Sequence, residues 1–158
     1  MTIANRNRGG APVGHIADLD AVEAAAVMYF RLWCDGPEAQ ARVRSEFLAA
    51  LGADHGQSAF RSFEHLCDLC VRLGRRPLMR HDLTCQCLGA DEACFATFVA
   101  AATASDREDA FLIATILVRA DVAICLIDHA QAFGLALKRM ALRSALPMPM
   151  PRHQSTFH

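Results

Sequence analysis

An all-α fold is predicted for this chain by three observations. Just over half of the 158 residues are apolar (53%), yet only 7% are aromatic. Alanine and leucine supply the difference, and both lose little entropy in a helix while packing poorly on a pleated sheet. Helix-start signals recur along the chain, and no run alternates with period two for long enough to make a strand. The length suits one core of useful size. The prediction is a single compact domain of about six helices over 17–144, between flexible tails at 1–16 and 145–158.

Each helix carries its own signal. Asp20 and Glu23 are spaced as a capping box ahead of VEAAAVMYFRLW. Gly36-Pro37 opens the second helix, with proline at the first position, where its missing N–H costs nothing. Asp54 and Gln57 are spaced to cap a third, which runs to Leu73 and is stopped by Gly74 and Pro77. Asp91 precedes a fourth, and Ser105 with Glu108 is the cleanest capping box, opening a fifth. Asp121 is placed to cap a sixth. Stripes at helical spacing mark the core: Phe60, Phe63, Cys67 and Cys70 on helix three, and Phe95, Phe98, Val99 and Ala102 on helix four. Helix five is apolar nearly all round over 110–118, which predicts burial on most sides.

Composition narrows the function classes. Sixteen basic residues against seventeen acidic ones give a net charge of −1, which offers no global attraction to nucleic acid or an anionic membrane. The first seventeen residues have no apolar stretch of the kind a secretory signal needs. The best apolar run, 110–118, is shorter than a membrane span of about 20 residues. A cytoplasmic protein is expected, and there thiols stay reduced, so the seven cysteines point to metal or reactive thiols rather than to a disulfide framework.

Those thiols concentrate in RHDLTCQCLGADEAC (80–94), part of a Cys/His-containing connection between helices three and four. His81 and Cys85 are four apart, Cys85 and Cys87 flank one residue, and Cys94 falls in the first turn of helix four, where a thiolate is favoured. Gly89 supplies a bend that could return Cys94 to the others. Mixed sulfur and nitrogen donors in this number suit tetrahedral Zn2+. The expected site is therefore His81, Cys85, Cys87 and Cys94. Such an ion would also close a loop, 74–90, that has few large apolar side chains to pin it. A rival set joins Cys67 and Cys70 to Cys85 and Cys87, and His65 or Cys67 could replace one ligand; the helical stripe places Cys67 and Cys70 in the core instead. The spacings match neither ferredoxin pattern, which ranks an iron–sulfur cluster below zinc. Cys125 and His129, four apart on helix six, offer only two ligands.

Arg72, Arg75, Arg76 and Arg80 follow closely at the end of helix three. They complement its dipole, and an anionic partner is the sharper reading. No E-x-x-H pair, P-loop or nucleophile-elbow motif occurs. The functional expectation is a zinc-binding helical protein with an interaction or regulatory role. A cysteine-based redox or metal sensor is the first alternative. The second is a zinc hydrolase, whose base could only be Asp82, Asp91 or Glu92.

Overall fold

The computed structural model describes residues 8–145. In chain order the elements are β1 (Pro12–His15), α1 (Ala21–Cys34), α2 (Pro37–Leu51), α3 (Ala53–Leu73), β2 (Cys87–Gly89), α4 (Ala90–Thr103), α5 (Arg107–Leu117) and α6 (Ala120–Ala145). The six predicted helices are present, and α6 touches all five others. Its Phe133 stacks on Phe63 of α3, ring centres 4.6 Å apart, and also on Phe47 of α2 at 6.2 Å. Phe30 and Phe95 stack between α1 and α4 at 4.9 Å. Both predicted stripes are buried, and Cys67 and Cys70 lie in the same core.

The length and hydropathy of α6 would also suit a membrane span, a property that the run 110–118 did not suggest. In this fold its inward face, including Ala123, Leu126, Ala130, Phe133 and Leu137, is spent on the core.

Several helix starts differ from prediction. Asp20 accepts the Glu23 N–H at 2.8 Å as expected, and Pro37 begins α2. By contrast, α3 starts after Gly52 and α4 after Gly89, so Asp54 and Asp91 lie inside first turns, where a carboxylate still favours the positive helix end. Asp121 likewise lies inside the first turn of α6. Asp106, not Ser105, caps α5, accepting the Asp109 N–H at 3.2 Å. Ser105 itself takes a left-handed φ of 62° in the tight turn that reverses the chain. Helix α5 is also less buried than its composition predicts. Ala110, Ala114 and Leu117 face inward, while Leu112 and Ile116 stand 56% and 65% exposed.

The expected N-terminal tail needs correction. Residues 8–16 comprise a 3-10 turn at Arg8–Gly10, then β1, then the start of a second turn at Ile16–Asp18. β1 pairs antiparallel with β2, Gly14 opposite Leu88 and His15 opposite Cys87. Ile16 N–H to Gln86 O and Ala90 N–H to Ala11 O, each 3.0 Å, extend the pairing. Strands of four and three residues are too short to show a period. The rest of the predicted tails, 1–7 and 146–158, lies outside the described residues.

Candidate thiol site on the connection between α3 and α4

Residues 74–89 pack Leu78 and Leu88 against the helices and are otherwise pinned by polar contacts. Gly74 bridges to Val118, and the Arg75 Nε–H donates to Thr115 O at 2.6 Å. Asp91, buried in the first turn of α4, accepts two bonds from Arg76, one of them 2.8 Å, and one from the Met79 N–H at 2.7 Å. Gly9 packs against this pair so closely that a Cβ there would stand 2.0 Å from Asp91 Oδ2. Arg80 pairs with Asp35 at 2.8 Å.

The central pin is Arg31 of α1, which is fully buried. Its Nε and Nη2 meet the two Glu92 oxygens at 2.7 and 2.9 Å. Its Nη1 donates to the carbonyls of Asp82 (2.9 Å) and Cys85 (2.7 Å), and Nη2 to that of Cys87 (2.8 Å). Glu92 also accepts the backbone N–H groups of His81 at 2.8 Å and Gly89 at 2.9 Å. Burial works to raise the Glu92 pKa, but these hydrogen bonds and the Arg31 charge outweigh it and hold the carboxyl below its ordinary value. The closure expected of a metal is thus made by a buried, hydrogen-bonded ion pair.

The thiols sit on this frame. Cys85 closes a turn, its N–H donating to Asp82 O at 2.9 Å, Cys87 opens β2, and the two thiols lie within hydrogen-bonding reach of each other. The His81 Nδ1 lies 3.7 Å from the Cys85 sulfur, and its Nε2 lies 2.8 Å from Gly10 O. A carbonyl can only accept, so Nε2 carries a proton, and in the neutral form of the ring it is the Nδ1 lone pair that faces Cys85. Gly89 fixes the ring from beneath: a Cβ there would come within 2.9 Å of His81 Cδ2. Its part is close approach rather than a bend. The hydrogen bond and charge of Cys85 push the Cys87 thiol above its ordinary pKa.

His81, Cys85 and Cys87 are therefore neighbours, and Cys94 is not one of the group. Cys94 packs half-buried against the main core, with burial, then the charge of Asp91, raising its pKa. Cys67 and Cys70 are buried; desolvation pushes Cys70 up to about 12. Among the described residues, no three His, Cys, Asp or Glu side chains already converge at metal-ligand spacing. The four clustered arginines have partners within the chain: Arg72 pairs with Asp68, Arg75 binds carbonyls, Arg76 binds Asp91 and Arg80 binds Asp35. Of the carboxylates considered as bases, Asp91 and Glu92 are engaged by guanidinium and amide groups.

The chain matches no protein-family model, no curated protein and no solved structure.

The partners of the site were harder to see in the sequence than its thiols. Arg31 was missed, although it falls four residues after the buried Val27, on the inward face of an otherwise apolar helix. A charge on such a face needs a buried acid, and Glu92 supplies it.

Proposed function

We propose that this protein is a cysteine-based redox sensor with a regulatory role, in which Cys85 reacts and Cys87 resolves. The observation that carries this reading is the oriented His81, whose Nδ1 lone pair faces the Cys85 sulfur while its Nε2–H is held by Gly10 O. An imidazole so placed accepts the Cys85 proton and leaves a thiolate, the nucleophilic form. The co-reactant is a hydroperoxide. The thiolate attacks its distal oxygen, the O–O bond breaks, and the alkoxide or hydroxide leaves with the proton from His81. Cys85 becomes a sulfenic acid, and Cys87 then displaces water from it to form the disulfide. The resting state is the reduced pair, as expected in the cytoplasm.

Output follows from the backbone. Only Gln86 separates these cysteines, and a disulfide holds its two Cα atoms within about 6.8 Å. Closing the bond would constrain the segment that presents the Cys85 and Cys87 carbonyls to Arg31. On treatment of the whole chain with hydroperoxide, mass spectrometry should find a Cys85–Cys87 disulfide. His81→Gln should slow its formation by at least about tenfold. Equal rates in the two proteins would remove the basis of the reading.

One observation favours a second reading, with zinc on the same residues. An imidazole whose far N–H is held by a carbonyl is also the arrangement of a metal-ligating histidine. His81 Nδ1 and the two sulfurs would then bind, with Cys94 able to join only by turning from the core. Near-stoichiometric zinc in untagged protein, lost in Cys85→Ser, would favour it.

A further inference from the structure

The arginine run at the end of α3 divides in the fold. Arg76 and Arg80 turn to Asp91 and Asp35. Arg72 and Arg75 instead meet Arg119, which lies between α5 and α6. Backbone contacts hold the two segments together: Gly74 bridges to Val118, and the Arg75 N–H donates to Leu117 O at 3.0 Å. Between them is an open cleft of about 440 Å³ lined by Arg72, Leu73, Gly74, Arg75 and Arg119, with no acid in its wall.

We propose that this cleft binds the phosphate group of a small organic phosphate. A guanidinium has five N–H donors, and the contacts within the chain leave most of them for a ligand. Arg75 gives only Nε, to Thr115 O and Val118 O, so the end of α5 fixes its guanidinium while both Nη groups stay available. Arg72 meets Asp68, and Arg119 meets Asp121, through one Nη2 each. Nε and Nη1 of both have no partner among the described residues, so neither pair has to break when the cleft fills. Asp68 and Asp121 offset two of the three charges from its margin, but Arg75 has no acidic partner among the described residues, and the wall stays cationic. A phosphate monoester suits this donor set better than a carboxylate. It carries about −1.5 to −2 charge at neutral pH and three strong acceptor oxygens, enough to engage three guanidiniums at once. A carboxylate brings two oxygens and a single charge. The volume is that of a small-molecule cleft, and Leu73, 41% exposed, gives the carbon part of the ligand an apolar wall.

The test titrates the full-length protein with phenyl phosphate by calorimetry at low ionic strength, with benzoate as the carboxylate of similar shape. Phenyl phosphate should bind one per chain, at least about tenfold tighter than benzoate, and more weakly as salt is added. Its affinity should rise as pH climbs through about 6, where the monoester takes its second charge. Arg72→Gln and Arg119→Gln should each weaken binding by about tenfold. Arg42→Gln, which removes an exposed arginine of α2 outside the cleft, should leave it unchanged. Arg72 and Arg119 are exposed, so their variants should fold, and circular dichroism melts check that they do. Vesicles of phosphatidylcholine with phosphatidic acid distinguish the source of the phosphate. The chain should stay in solution beside them, and cosedimentation lost in Arg119→Gln would overturn the small-molecule assignment in favour of a lipid headgroup. No binding of phenyl phosphate, equal affinity for benzoate, or an equal loss in Arg42→Gln overturns the site itself.

Discussion

Glycine 89 shows how much a single position can decide at the scale of one residue. The His81 ring lies so close above it that a methyl group must displace the ring. Gly89→Ala should therefore keep the fold, since φ there is −79° and ordinary for alanine, yet move His81 off Cys85. The expected outcome is a loss of hydroperoxide reactivity similar to that of His81→Gln, with a far smaller change in Tm than Arg31→Ala causes; iodoacetamide labelling rates and thermal melts check both. Arg31 is the contrasting case. Removing it strands a buried Glu92 and leaves three part-buried carbonyls without their donor, and a broken buried pair costs about 3–5 kcal/mol. Urea titration of Arg31→Ala should show a loss of that order. At this scale the sequence was half legible. The run of cysteines and His81 announced themselves by spacing, but Arg31 acts on residues 51 to 61 positions away, a distance no local pattern encodes. Cys94 packs against the core, since its position in the first turn of a helix does not say which way that turn faces.

Elements were read more securely than their surroundings. Periodicity found α1 to α6 because each needs only its own residues to show a stripe, and α3 and α4 bury the side chains the stripes named. It failed on α5, where every residue over 110–118 but Thr115 is apolar and the inward face cannot be told from the outward one. The structure resolves this through size: Ala110 and Ala114 allow close approach, and the larger Leu112 and Ile116 are left in solvent. Leu112→Glu and Ile116→Glu should each alter stability by no more than about 0.5 kcal/mol, as exposed substitutions do. Ala114→Leu should cost about 1–3 kcal/mol by overpacking. Thermal unfolding of the three variants tests the assignment of faces, and a large loss in Ile116→Glu would reverse it. On α6, Phe133→Ala should cost about 3–5 kcal/mol, because its ring is shared by α2 and α3.

Across the whole molecule, the buried pair ties stability to pH. Glu92 titrates below its ordinary value when folded, so the unfolded chain takes up its proton first as pH falls. The stability it contributes is complete above the usual glutamate range of about 4.3 and is lost as pH drops through the lowered folded value. Urea midpoints measured from pH 7 down to pH 3 should fall in that window, and Arg31→Met/Glu92→Leu should flatten the fall. The domain as a whole was legible because its helices are local; β1 and β2 were not, because each strand exists only through the other. The same distance in sequence has a kinetic meaning. Arg31 gains nothing from leaving water until 82–92 stands in place to receive it, so α1 meets an electrostatic barrier to early docking that α2 and α3, joined by one residue, do not. The expected order of assembly has α2, α3 and α6 condensing first and α1 locking down last, after the connection has formed. Stopped-flow measurements on Arg31→Ala should then show folding nearly as fast as in the parent chain and unfolding sped up by almost the whole stability change. The charge acts as a latch on the finished molecule, setting how long it stays folded rather than how quickly it gets there.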